Sequence, residues 1–181
     1  TDKRDAENIA KCLANRTYSP VHVPTREDEE IKEFIRMRDD HNQALKRIKQ
    51  QLLAFCLRQG LHHDGGDNWT QKHLHWLRTL NLKGVYQEVL DEYLLTYDKL
   101  KEAVDRLDQR ISELAEDKRY QEPVHKLRCF LGIETHTALS LIVEVSDFNR
   151  FSSAEKFASF LGLVPGEHTS SNSQNRLGIT K

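Results

Sequence analysis

The feature that most restricts this chain is an apolar seam between residues 86 and 114. Tyr86, Leu90, Tyr93, Tyr97, Leu100, Val104, Leu107, Ile111 and Leu114 follow one another at steps of 4, 3, 4, 3, 4, 3, 4 and 3. Steps of this kind keep one stripe of a helix apolar over four heptads, the pattern of a coiled-coil seam. The spacing predicts a helix from about Val85 to Lys118, roughly 50 Å long at about 1.5 Å per residue. A second long helix is predicted from Thr25 to about Arg58, with Ile31, Phe34, Ile35, Leu45, Ile48, Leu52 and Phe55 apolar and Arg38, His41 and Asn42 interrupting the stripe. Thr25 and Asp28 open it as a capping box in which Asp replaces the usual Glu. Neither stripe can stay in water, so the two helices pair with each other, with another chain, or both.

Charge divides the same region. Residues 41–83 hold seven Lys or Arg against Asp64 and Asp67, with five His, whereas residues 84–119 hold six Lys or Arg against ten Asp or Glu. A net charge of -1 therefore conceals a basic segment followed by an acidic one. Such a segment can meet phosphates whatever the total, although a solvated helix face has the same composition. Gly and Pro are sparse, at 8 and 4 residues, which favours helices. Cys12, Cys56 and Cys129 lie far apart and form no CxxC pair, so a cysteine zinc site is not expected. No apolar run approaches the roughly 20 residues needed to cross a bilayer. The first residue is Thr and the last stretch is polar, and both ends are expected to be cut points in a longer protein.

Around the two long helices the elements are short. Residues 5–15 read as a helix, YSPVHVP as an extended linker, LHHDGGDN as a loop, and Thr70 as the cap of a helix carrying Leu74, Trp76, Leu77 and Leu80. Beyond residue 119, Pro123 suits a first helical turn. Leu127, Phe130 and Leu131 are expected to face inward, with Gly132 ending that helix. Thr135 starts another helix, and Ser152 with Glu155 caps a third. Residues 165–181 show no periodicity and are expected to be a loop.

Four groups could carry chemistry. Asp2 and Asp5 share one helix face at i, i+3, where they either complement the helix dipole or supply ligands to a hard cation. The turn from Gly132 to Thr135, just before a helix, is either an ordinary connection or a phosphate-binding helix-hairpin-helix turn. Thr169-Ser170-Ser171-Asn172-Ser173 is a polar loop in which a serine is a nucleophile only if something activates it. His62, His63, His73 and His75 do not converge easily on zinc and are expected near phosphate or on a wet surface.

Taken in order, TDKRDAENIA, LRCFLGIETHTALSLIVEV, FASFLGLVPGEHTSS and GITK resemble the DEDD-type transposases and recombinases of insertion sequences. The resemblance implies three parts. Residues 1–24 would end a RuvC-like catalytic domain, residues 25–119 would be a coiled-coil region, and residues 120–181 would begin a serine-bearing helical domain. It implies that Asp2 and Asp5 are the last two of four carboxylates holding Mg2+, and that Ser170 is the nucleophile. Ser171 stands where the family has a glycine, so the register against Ser170 could slip by one. Gly132, Thr135, Arg176 and Lys181 would contact DNA. The implied partners are DNA, a guide RNA as in the better-studied members, and further copies of the chain joined through the long helices. No membrane partner is implied, and the location would be the cytoplasm of a bacterium or archaeon. The fold class expected is mostly α, with two long coiled-coil helices before a small helix-hairpin-helix-like domain. The chain alone, with two of four carboxylates, is expected to be inactive. The competing reading is a non-catalytic coiled-coil oligomerisation module with a DNA-binding end.

Overall fold

The computed structural model describes residues 2–18, 21–170 and 173–179. The order is α1 (Asp2–Ala14), α2 (Arg26–Arg58), α3 (Gln71–Thr79), α4 (Val85–Ala115), α5 (Gln121–Arg128), α6 (Thr135–Val145), a 3-10 turn (Phe148–Arg150), α7 (Ala154–Phe160), β1 (Pro165–Ser170) and β2 (Ser173–Ile179). The mostly helical class and both long helices are as the periodicity predicts.

The seam of α4 is covered by α2 of the same chain, the two running antiparallel. Leu90, Tyr97, Val104, Leu107 and Ile111 are buried, while Tyr86 is left exposed at the start of the seam. Of the partners open to the seam, the intramolecular one is filled. Self-association through these helices would have to use outer faces, where Val85 and Leu95 are exposed.

Two apolar cores sit along the hairpin. One, at the tip, joins Leu45, Ile48, Leu52 and Phe55 of α2 to Leu90, Leu94 and Tyr97 of α4 beneath Leu74 and Leu77 of α3. The other, at the base, joins Ile31 and Ile35 of α2 and Ile111 and Ala115 of α4 to Val124, Ala138, Leu139 and Val143 beyond residue 120. Between them Arg38 reaches across to Asp108 in a two-pronged ion pair, at 2.7 and 3.0 Å. The residue that interrupts the α2 stripe therefore bridges the two helices in a polar layer.

Three local expectations need correction. The final stretch is not a loop, because β1 and β2 form an antiparallel hairpin, with an irregularity between Pro165 and Glu167. Its facing stretches, Glu167 to Ser170 and Ser173 to Arg176, are polar and held by backbone pairing, so apolar residues are confined to Leu177 and Ile179, too few to mark a strand. The third cap is Ser153, whose hydroxyl accepts from the N–H of Lys156, not Ser152. Phe130 and Leu131 do not face inward, since α5 stops at Arg128 and the turn carries both side chains into solvent.

Candidate functional site

The turn between α5 and α6 is built by a short helix that stops early. The N–H of Phe130 bonds to the carbonyl of Leu127, and that of Ile133 to the carbonyl of Phe130. Gly132 between them has φ 85°, a left-handed conformation that a side chain would strain. A Cβ there would meet nothing within 4 Å, so glycine answers to the backbone and not to crowding. Leu131 is fully exposed at the apex.

α6 then begins without a side-chain cap on Glu134, and its first turn holds no acidic residue. The N–H of Ala138 is bonded back to the Glu134 carbonyl at 2.9 Å. The three N–H groups before it have no partner within the helix, as at any helix start, and carry the positive end of the helix dipole. The last turn of α5 holds His125, Lys126 and Arg128, of which His125 lies 3.4 Å from Glu116 and Lys126 is paired with Glu122 at 2.7 Å. Chemically the turn is a set of backbone donors at the start of α6, with Arg128 at the end of α5 and an apolar tip at Leu131. Of the predicted contacts, Gly132 and Thr135 are brought together here.

The turn is held by a residue that the sequence marks only as a cap. Asp28 is 2% exposed. Its backbone N–H donates to Thr25 at 3.2 Å, closing the expected cap of α2. Its carboxylate accepts from the Tyr120 hydroxyl at 2.8 Å, the Ser146 hydroxyl at 2.9 Å and the Arg119 guanidinium at 2.9 Å. Burial alone would raise its pKa, but the hydrogen bonds from Tyr120, Ser146 and Thr25, with the charge of Arg119, hold it below the ordinary value of 3.8. Tyr120 precedes α5 and Ser146 follows α6, so one carboxylate ties the start of α2 to the outer ends of the helix pair. Buried Lys32 of α2 lies 2.9 Å from Glu29 and 3.7 Å from Glu144 of α6.

The other predicted residues are scattered. α1 has no buried residue, and its Ile9 and Leu13 are exposed. Asp2 and Asp5 share its first turn. Among the described residues no three His, Cys, Asp or Glu side chains group as a metal site. Ser170 ends β1, its backbone paired with Ser173, and Arg176 lies in β2 opposite Glu167. Ser171 and Lys181 lie outside the described residues. The histidines divide: His62 and His75 are exposed as expected, but His73 is 1% exposed inside the tip of the hairpin.

Comparison with known proteins points one way. Residues 124–181 match the model of the family described as "Transposase IS116/IS110/IS902 family", a stretch that begins in α5 and includes the turn. The transposase for insertion sequence element IS1533 of Leptospira borgpetersenii is 34% identical over 151 residues, 82% of this chain and 44% of the relative. A Sinorhizobium fredii protein provisionally named transposase y4qE is 29% identical over 100% of this chain and 43% of its own length. The transposase for insertion sequence element IS1111A of Coxiella burnetii is 22% identical over 99% of this chain and 50% of its own length. The chain thus spans about half the length of the curated relatives it matches. No solved structure matches it.

Proposed function

The chain belongs to the IS116/IS110/IS902 transposase family, and from that premise we propose that it is a DNA-docking and strand-transfer portion of a DNA transposase. The observation that carries the reading is the α5–α6 turn inside the family-matched stretch. Left-handed Gly132, the uncapped start of α6 at Thr135 and the basic end of α5 suit a phosphate of the DNA backbone. Such donors position a protein on DNA without reading its sequence. Arg176 and Lys181 would extend the contact along the strand.

Ser170 would be the nucleophile. Its hydroxyl oxygen bonds to phosphorus, the sugar oxygen leaves with the electron pair of the broken ester, and the serine proton passes to a base. The covalent link conserves one phosphodiester for rejoining. Asp2 and Asp5 offer hard oxygen ligands on one exposed helix face, which fits a share of a Mg2+ site completed by other carboxylates. Bound Mg2+ would offset charge on the leaving oxygen. DNA, a guide RNA and further copies of the chain are the partners this reading implies.

The non-catalytic module shares the turn and the hairpin, and no metal-binding triad exists among the described residues to set against it. The two readings part on Ser170. In the full-length protein with its DNA, Ser170→Ala should abolish the covalent protein–DNA link and leave binding nearly unchanged, because a methyl group cannot attack phosphorus yet removes no positive charge. Ser171→Ala should be milder. The reverse pattern moves the nucleophile one residue along, and a link that survives both changes together removes serine chemistry.

A further inference from the structure

We propose that Arg150 is a further contact to the DNA backbone: a guanidinium seated in a notch between two phenylalanine rings, with its N–H edge open to a phosphate of the duplex. It lies in the connection from α6 to α7, inside the family-matched stretch and separate in sequence from the α5–α6 turn.

Two caps build the notch. The Asp147 carboxylate accepts from the N–H of Asn149 at 2.9 Å and starts the 3-10 turn, and the Ser153 hydroxyl starts α7. Between them the chain folds four rings together. Phe148 and Phe151 stand 5.7 and 5.2 Å from Phe157, centre to centre, and Phe151 stands 5.2 Å from Phe160. The Arg150 Cζ lies 4.5 Å from the centre of the Phe151 ring and 4.6 Å from that of Phe160. Two rings so close to each other cannot sandwich a third plane, so the guanidinium rests in the V between them. Arg150 itself is exposed, which leaves its other side in water.

Among the described residues, Arg150 is held by aromatic rings and paired with no carboxylate. Arg119 also lies over a ring, but Glu27 and Asp28 take up its charge. The two acids nearest Arg150 in sequence are used locally, Asp147 by the Asn149 N–H and Glu155 by the Ser153 side chain. A guanidinium keeps its N–H groups in its own plane, and two of them match two oxygens of one phosphate. Stacking fixes that plane in advance, so less side-chain freedom is lost when the anion arrives. Lys156 precedes Phe160 by four residues on the same face of α7 and adds a second positive charge beside the notch. A carboxylate of a second copy could fill the same fork. Position favours DNA: α7 leads through residues 161–164 into β1, and Ser170 at its end is ten residues from Phe160, at most about 36 Å along the chain. A phosphate held at Arg150 would belong to the DNA on which that serine acts.

This assignment rests on the DNA-docking reading above, and the experiment keeps the two apart. In the full-length protein on a blunt DNA duplex, Arg150→Met keeps an unbranched side chain against the rings and removes the charge. The slope of log affinity against log salt should flatten by about 0.9, the value of one phosphate contact. Affinity at low salt should fall roughly ten-fold. The loss should be equal on an unrelated duplex, because a phosphate contact reads no sequence. Arg150→Lys, with the charge but not the planar fork, should keep the slope and recover part of the affinity. In the unsubstituted protein, the Arg150 side-chain N–H resonance should move as duplex is added. An unchanged slope and affinity in Arg150→Met, an unmoved resonance, or a loss confined to one sequence would each overturn the proposal. A changed oligomer size in Arg150→Met with the salt slope intact would assign the fork to a second copy and overturn it too. If Arg150→Met does not fold, the resonance decides. Arg128→Met at the α5–α6 turn separates the readings. Weaker binding there with none at Arg150 leaves the docking reading standing and removes this one, and no duplex binding by the unsubstituted protein removes both.

Discussion

The base and the tip of the hairpin each bury a polar side chain and treat it differently. At the base, the Asp28 carboxylate accepts from Arg119, Tyr120 and Ser146, and the Asp28 backbone N–H donates to Thr25. At the tip, the His73 ring has one hydrogen bond, from the Trp69 N–H, and its Nε2 is buried without a partner among the described residues. The first arrangement locks three helix ends together. The second leaves a buried nitrogen without a partner among the described residues. A buried polar group thus fastens the fold only where its partners are in place.

The sharpest way to break this contrast is to remove the carboxylate. Asp28→Ala should destabilise the chain by about 2–4 kcal/mol, because it leaves the Tyr120 and Ser146 hydroxyls without their acceptor, although Arg119 keeps its bonds to Glu27 and Thr25. Denaturant unfolding measures it, and a loss under about 1 kcal/mol would show that the latch contributes little.

Acid should act on the two ends in sequence. His73 titrates below 6.5 when folded, so its contribution is complete above pH 6.5 and declines as pH falls from there toward its folded value. Asp28 titrates below 3.8 when folded, so its contribution is complete above that pH and is lost only as pH falls through the lowered value. Tryptophan emission should therefore change before the hydrogen-exchange protection of α6 does. A single coincident transition would mean that the two cores unfold as one unit.

The smallest effect should come from His73→Phe. Its cost in stability should stay within about 1 kcal/mol, since removing a half-satisfied buried donor offsets the loss of the Trp69 bond. A loss comparable to that of Asp28→Ala would erase the distinction between the two ends.

Much of this was legible because it is local. Seam spacing marked α4, and the Thr25 cap marked the start of α2. The α5–α6 turn showed through Gly132 and Thr135. The order of short motifs carried the family resemblance. The β1–β2 hairpin was not legible, since Glu167 to Ser170 and Ser173 to Arg176 are polar and pair through backbone groups. Phe130 and Leu131 misled for a related reason: apolar residues read as core, yet here helix termination points them outward.

By itself, then, the sequence determined two amphipathic helices, a mostly helical chain and membership of a transposase family, because period, caps and motif order act over a few residues at a time. Tertiary structure alone decided that α2 fills the α4 seam from within the chain. It also turned Asp28 from a cap into a hub, and buried His73 while His62 and His75 stayed exposed. The physical reason is distance along the chain. Tyr120 lies 92 residues from the carboxylate it bonds, and Ser146 lies 118 residues away. No window of periodicity reaches that far, and only the closed fold brings such groups within 3 Å.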